Sequence, residues 1–272
     1  MPSDSPCQLP SYHMHTNYSD ASASVRDMVK AAEDHGVTEI AISDHFAILP
    51  DGTTDLWWSI TPERLPEYVA DVQAANAETD ITVRLGIEID YFPETCEQIL
   101  AILEPYPFDV IIGSVHYDAQ FPIDADIKHW DGLDQDTINE IFRNYWGWIA
   151  RLAGCGLFDF IGHLDLVKKF GHTASVDLSE AIGAALDAIQ QADIPIELNT
   201  AGWHKPCAEC YPAEDLLTEC FRRGIRVLIS DDAHTPEHVG RDFDRALTLL
   251  KRIGYTESVR FCQRRPEVYS LP

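Results

Sequence analysis

Short apolar or β-branched runs alternate with stretches of helical periodicity along this chain, and most of the runs end on a histidine or a carboxylate. Ser11 to His15 reads as the first strand. A helix is predicted from about Ser24 to His35, with Val25, Met28, Val29 and Ala32 on one face and Gly36 as its stop. Strand two, Glu39 to Ser43, delivers Asp44 and His45. Phe46 to Ile60 reads as a long loop holding Trp57 and Trp58, and Thr61-Pro62 opens the second helix. Strand three, Ile81 to Ile87, ends at Glu88. A short helix near Cys96 to Glu104 precedes strand four, Asp109 to Val115, which ends at His116.

From about Asp136 to Ala153, Ile138, Ile141, Phe142, Tyr145, Trp148 and Ile149 recur at helical spacing, a stripe that reads as core packing. Strand five, Leu157 to Gly162, ends at His163. A helix from Ser179 to Ala192 leads to strand six, Pro195 to Leu198, which ends at Asn199. A helix from Pro212 to Arg223 leads to strand seven, Arg226 to Ile229, which runs into Ser230-Asp231-Asp232-Ala233-His234. A last helix is expected from about Pro236 to Ile253, and Ser258 to Pro272 carries no usable motif.

Seven such units without a linker predict an α/β fold in a single domain, residues 1–272: a TIM-like barrel, either distorted or incomplete. In that architecture the C-terminal ends of the strands converge on one rim, so the terminal histidines and carboxylates meet there. His13 and His15, two apart on a strand, point to the same side and can reach one metal. Asp232 and His234 repeat that spacing. Glu88 closes an apolar run in which an unpaired carboxylate would be costly to bury, and its two oxygens suit it to bridging two metals. Each residue alone has an ordinary structural role open to it, a turn or helix cap for Asp20 and a satisfied core position for His116 or His163. Their joint placement points to a multi-metal hydrolytic site. Imidazoles mixed with hard oxygen ligands suit Zn, Mn or Fe.

Composition narrows the partners. The formal charge of −25 disfavours broad nucleic-acid backbone binding. No run approaches the roughly 18 apolar residues of a membrane span, and the opening MPSDSPCQLPSYH lacks the basic and apolar regions of a signal peptide. A cytoplasmic protein is expected, with oligomeric state open. The seven cysteines form no disulfide framework, and the lone CxxC of Cys207 and Cys210 has no second pair at zinc-ribbon spacing.

The set His13-x-His15, Ser43-Asp44-His45, Gly86-Ile87-Glu88, Gly113-Ser114-Val115-His116, Gly162-His163 and Asp232-Ala233-His234 resembles the polymerase and histidinol phosphatase (PHP) superfamily. Asp159 to Phe170, and Ile196 to Gly202 through Tyr211-Pro212, resemble its histidinol-phosphatase branch. The resemblance implies a distorted (β/α)7 barrel with a trinuclear metal centre at the C-terminal rim. His13, His15, Glu88 and Asp232 resemble the ligands of one metal, Glu88, His116 and His163 those of a second, and Asp20, His45 and His234 those of a third. It also implies hydrolysis of a phosphate monoester, by hydroxide formed from water between metals that Glu88 holds. L-Histidinol phosphate, in histidine biosynthesis, is the implied substrate. The general acid is not assigned; Asp232 and His234 are candidates.

Phosphate oxygens beyond the metals need cationic donors. Lys168-Lys169 stands where the resembling phosphatases often have arginine, and Gly202-Trp203-His204, then Lys205, replaces their usual Gly-Leu-Arg. Lys168, His204 and Lys205 are therefore the phosphate candidates, although lysine and histidine lack the bidentate fork of a guanidinium. Trp57 and Trp58 are candidates for a substrate loop near the rim. His35, His129, His172 and His238 read as surface or helix-end residues. Another small phosphomonoester or a nucleotide is the alternative substrate. A polymerase-associated exonuclease would require a polymerase domain, and a silent metal-binding module would be expected to have lost ligands.

Overall fold

A computed structural model describes residues 9–272; residues 1–8, which hold Cys7 and much of the stretch read for a signal sequence, lie outside it. In chain order the elements are α1 (Val25–His35), β1 (Glu39–Ile42), β2 (His45–Phe46), α2 (Leu65–Ala77), β3 (Thr82–Asp90) and α3 (Cys96–Leu103). Then come β4 (Val110–Ser114), β5 (Tyr117–Asp118), β6 (Phe121–Pro122), α4 (Gln135–Gly154), β7 (Phe160–Ile161) and α5 (Ser179–Ala192). The chain ends with β8 (Ile196–Asn199), α6 (Glu214–Arg222), β9 (Val227–Ser230), α7 (Phe243–Ile253), β10 (Glu257–Cys262) and β11 (Arg265–Ser270). The first helix starts and stops for local reasons. Ser24 and Asp27 form a capping box, and Gly36, at φ 72°, takes the left-handed position that ends it.

The main sheet is parallel, in the order β1-β3-β4-β7-β8-β9, with β2 beside β3. Residues 11–14 close the path into a ring of seven: Ser11 bridges Ile40, and Met14 bridges Ala233 just after β9. This stave is held by isolated bridges where a continuous strand was expected. Its Met14 N–H donates to the Ser43 hydroxyl, so a side chain takes the place of a ladder carbonyl.

Two other expectations change. β7 is only two residues long, because Gly162 is followed by His163 at φ 20° and the chain turns away. The last predicted helix breaks: Pro236–His238 makes one 3-10 turn, then Gly240 at φ 73° and Asp242 at φ 62° interrupt it before α7 begins. No α-helix continues through left-handed residues. On α4, Trp146 is buried with the expected stripe. Trp148 is only half-buried, its indole N–H donating to Asp118.

Tyr12, Ala41, Val110, Ile112, Phe160 and Leu228 pack together as a small cluster that Phe261 of β10 completes. Phe261 stacks on Phe160 at 5.8 Å and meets Tyr12 edge-on at 5.9 Å. The β10–β11 hairpin, unforeseen in the sequence, is pinned at Asp109 and Asp159. Gln263 N–H donates to Asp109, and Arg264 pairs with Asp159 at 3.1 Å. These aspartates immediately precede β4 and β7, so the hairpin closes the N-terminal end of the barrel and leaves the opposite rim for chemistry. Among the described residues no helix is long and apolar enough to cross a membrane.

Candidate metal centre

Glu88, fully buried near the end of β3, is the hub of the rim. Its Oε1 lies 3.3 Å from His13 Nε2, 3.1 Å from His163 Nε2 and 3.6 Å from His116 Nε2. Its Oε2 lies 2.8 Å from His45 Nδ1 and 3.6 Å from His15 Nε2. Asp232 Oδ1 approaches His13 Nε2 at 3.7 Å and His15 Nε2 at 3.3 Å. Asp20, on the turn after the first stave, reaches His234 Nε2 at 3.2 Å and stands 3.9 Å from both His15 and His45. All nine predicted side chains therefore converge.

Their grouping is close to the expected one. His13, His15 and Glu88 share one space for an ion, and Glu88, His116 and His163 share a second. Asp20, His45 and His234 share a third with His15 as an added member, while Asp232 also groups with His13 and His163. Asp232, at φ 48°, holds a left-handed backbone that is unfavourable for a non-glycine residue, as befits a position fixed by the site.

A layer of partners that the sequence reading did not identify orients these rings. Glu197 of β8, fully buried, accepts from His13 Nδ1 at 3.0 Å, from the His163 backbone N–H at 2.5 Å and from Asn199 Nδ2 at 2.9 Å, and from the Ser230 hydroxyl. Asp90 accepts a hydrogen bond from His116 Nδ1, and the Asp232 carbonyl faces His234 Nδ1 at 2.9 Å. An ionised carboxylate only accepts, so His13 and His116 carry a proton on Nδ1 and point Nε2 inward, where a bound cation would take the place of any second proton. The Ser114 hydroxyl donates to Glu88 at 2.5 Å, and Gly162 must lack a side chain because a Cβ there would collide with that hydroxyl.

Burial opposes ionisation throughout, yet the mutual charges prevail. Burial favours neutral Glu88, but His13, His45 and His116 hold it well below the usual carboxylate range. Burial likewise opposes protonation of His116, but Asp90, Asp124 and Glu88 lift it to about 10. His15 goes the other way: burial, then His234 and His45, press it down to about 3.

Whether cations fit can be read from the buried atoms. His13 Nε2, His15 Nε2 and Glu88 Oε2 have no hydrogen-bond partner among the described residues. Leaving such atoms buried and unsatisfied costs about 1–3 kcal/mol each. Lone pairs converging from imidazoles and carboxylates are the donor set of a divalent transition metal, so the residues fit. Cys207 and Cys210 stay free thiols outside every such cluster among the described residues.

The phosphate candidates divide. Lys168 turns away, its ammonium held by Asp165 at 2.8 Å, Glu209 at 3.1 Å and the Cys210 carbonyl. His204 is exposed and pairs with Asp242 at 2.5 Å, outside the cavity lining. Lys205 does line the cavity, of about 330 Å³, joined by Lys169 of the Lys168-Lys169 pair and by His238 and Arg241, which the sequence reading had not placed there. His238 is thus no mere surface residue. Trp57 is 84% exposed and touches nothing in the site, whereas Trp58 meets His45 edge-on at 5.8 Å and lies 6.2 Å from Tyr117.

Comparison with known proteins agrees with this geometry. Residues 11–201 match the model of the PHP domain. A probable histidinol-phosphatase of Deinococcus radiodurans is 36% identical over 245 residues, covering 89% of this chain and 92% of the relative. The histidinol-phosphatase of Bacillus subtilis is 26% identical, covering 86% of this chain and 97% of its own. The solved structure of histidinol phosphate phosphatase from Lactococcus lactis, complexed with zinc, L-histidinol and phosphate, superposes with a TM-score of 0.80. It is 24% identical and covers 96% of this chain and 99% of its own.

Proposed function

The chain belongs to the PHP domain family, in its histidinol-phosphatase branch, and on that premise we propose that it hydrolyses L-histidinol phosphate to L-histidinol and phosphate. The observation that carries the reading is the convergence of nine side chains at one rim, five of them imidazoles around Glu88, with unsatisfied polar atoms turned inward. The 36% identical relative and the zinc, histidinol and phosphate held by the Lactococcus lactis enzyme support the substrate and the metal.

In this proposal the chain acts as one domain over residues 1–272, in the cytoplasm and in histidine biosynthesis. Three divalent cations would be held at the rim. Glu88 would serve two of them, with His13, His15 and Asp232 on one side and His116 and His163 on the other; Asp20, His45 and His234 would hold the third. Divalent cations there supply Lewis acidity, drawing charge from the phosphoryl oxygens and easing deprotonation of water. The protein holds the imidazoles rigid through Glu197 and Asp90, so the ligands need little rearrangement. Trp58, edge-on to His45, and Tyr117, tilted 31° to the Trp58 ring, stand beside the centre and would be the aromatic surfaces nearest the substrate's imidazole ring. Water attacks phosphorus, the ester P–O bond breaks, and the alcohol leaves with a proton.

The test is steady-state phosphate release by metal-replete protein from L-histidinol phosphate, beside p-nitrophenyl phosphate, with Glu88→Ala as control. A strong preference for L-histidinol phosphate, lost in Glu88→Ala, is the expected result. Turnover of the aryl ester alone would overturn the substrate and leave the phosphatase chemistry standing.

A further inference from the structure

This chain carries 20 Lys and Arg against 45 Asp and Glu, so most cations should find a carboxylate. At the metal cavity Lys169 does so with Asp124, and nearby His204 pairs with Asp242. Lys205 and Arg241 line that cavity beside His238 and enter no ion pair among the described residues. Arg241 Nε is buried without a hydrogen-bond partner among them. The three groups feel one another, for burial and then the charges of Arg241 and Lys205 hold His238 below its ordinary range. Cations left without a carboxylate in one cavity of so acidic a protein are an arrangement that a bound anion relieves.

The backbone around Arg241 is clamped on both sides. Its carbonyl accepts from the Thr200 hydroxyl at 2.8 Å, and the preceding Gly240 N–H donates to buried Asp231 at 2.6 Å. The following Asp242 is held by His204 at 2.5 Å. Gly240 and Asp242, both left-handed, set the turn that directs residue 241 to the cavity. We infer that Arg241, with Lys205, binds the non-bridging oxygens of the substrate's phosphoryl group in the cavity that the metal ligands also line. This rests on the phosphatase reading above. The guanidinium presents paired N–H donors that match two phosphoryl oxygens, and Lys205 adds a point charge. His204, in turn, positions the segment rather than touching phosphate.

The experiment is calorimetric titration of metal-replete protein with inorganic phosphate, for wild type, Arg241→Ala, Arg241→Gln, Lys205→Ala and Arg252→Ala. Arg252 pairs with Glu214 at 2.6 Å, outside this cavity, and serves as the control. Both Arg241 variants should raise the phosphate Kd about ten- to hundredfold, Lys205→Ala several-fold, and Arg252→Ala not at all. A phosphate Kd within about twofold of wild type in Arg241→Gln, at native melting temperature, overturns the assignment. Lys205 is exposed, so Lys205→Ala judges the site even if the arginine variants misfold, and unchanged affinity there removes the two-cation site. The kcat/KM values for L-histidinol phosphate and p-nitrophenyl phosphate should fall by equal factors in Arg241→Gln. If wild type turns over the aryl ester alone, the substrate reading fails while the phosphate titration still decides the role of Arg241.

Discussion

Glu197 accepts from four donors on four segments, which makes it the pivot on which His13 and the His163 backbone are oriented. Glu197→Gln keeps the shape but turns one oxygen into a donor facing other donors. Metal affinity, followed by equilibrium titration, should fall about 10- to 100-fold, as loss of such supporting partners generally does. Unchanged affinity would mean that the imidazoles orient themselves. Glu88 was legible because a carboxylate closing an apolar run must find partners, and the same argument applied to Glu197 inside Ile196 to Leu198. It was missed because attention fell on strand ends alone. Asp90 lies two residues beyond Glu88, on the same strand face, and was equally recoverable. Lys168 misled because adjacent lysines point to different places: Lys169 lines the cavity, while Lys168 is consumed by Asp165 and Glu209.

At the level of elements, the helices were legible from their apolar faces and stops, and Ser179–Ala192 appears with the expected bounds. The break after Pro236–His238 was not, because Val239, Phe243, Ala246 and Leu250 keep helical spacing across it. What breaks the helix is a pair of left-handed residues and a long-range bond from Gly240 to Asp231, neither of which periodicity reports. The terminal hairpin was hidden for a related reason. β11 is largely exposed, so its burial pattern leaves little signal, and the contribution comes from Phe261 at the far end of the barrel. Phe261→Ala should destabilise the protein by about 3–5 kcal/mol, read by urea unfolding, with kcat unchanged because the substitution lies opposite the rim. A loss of activity at full stability would contradict the separation of the two ends.

Across the whole molecule the charge balance and the metal centre act together. With a net charge of −25, cations held at the proposed site of Glu88, Asp20 and Asp232 would relieve repulsion that the bare protein must bear. Chelation should therefore lower the melting temperature. Each site saturated to 100 times its Kd adds about 2.7 kcal/mol, and a chain of this size shifts about 2–4 °C per kcal/mol. Calorimetric scans with and without chelator, then with zinc restored, check this; coincident melts would argue against resident metal.

The two bridges that close the barrel have a consequence for synthesis. A nascent chain that has emerged to residue 200 already carries seven of the nine converging side chains, lacking Asp232 and His234. Yet the stave bearing His13 and His15 has its second neighbour only when Ala233 arrives. On the proposed metal reading, capture would be postponed until translation is almost finished, and an unfinished polypeptide would be a poor competitor for divalent metal.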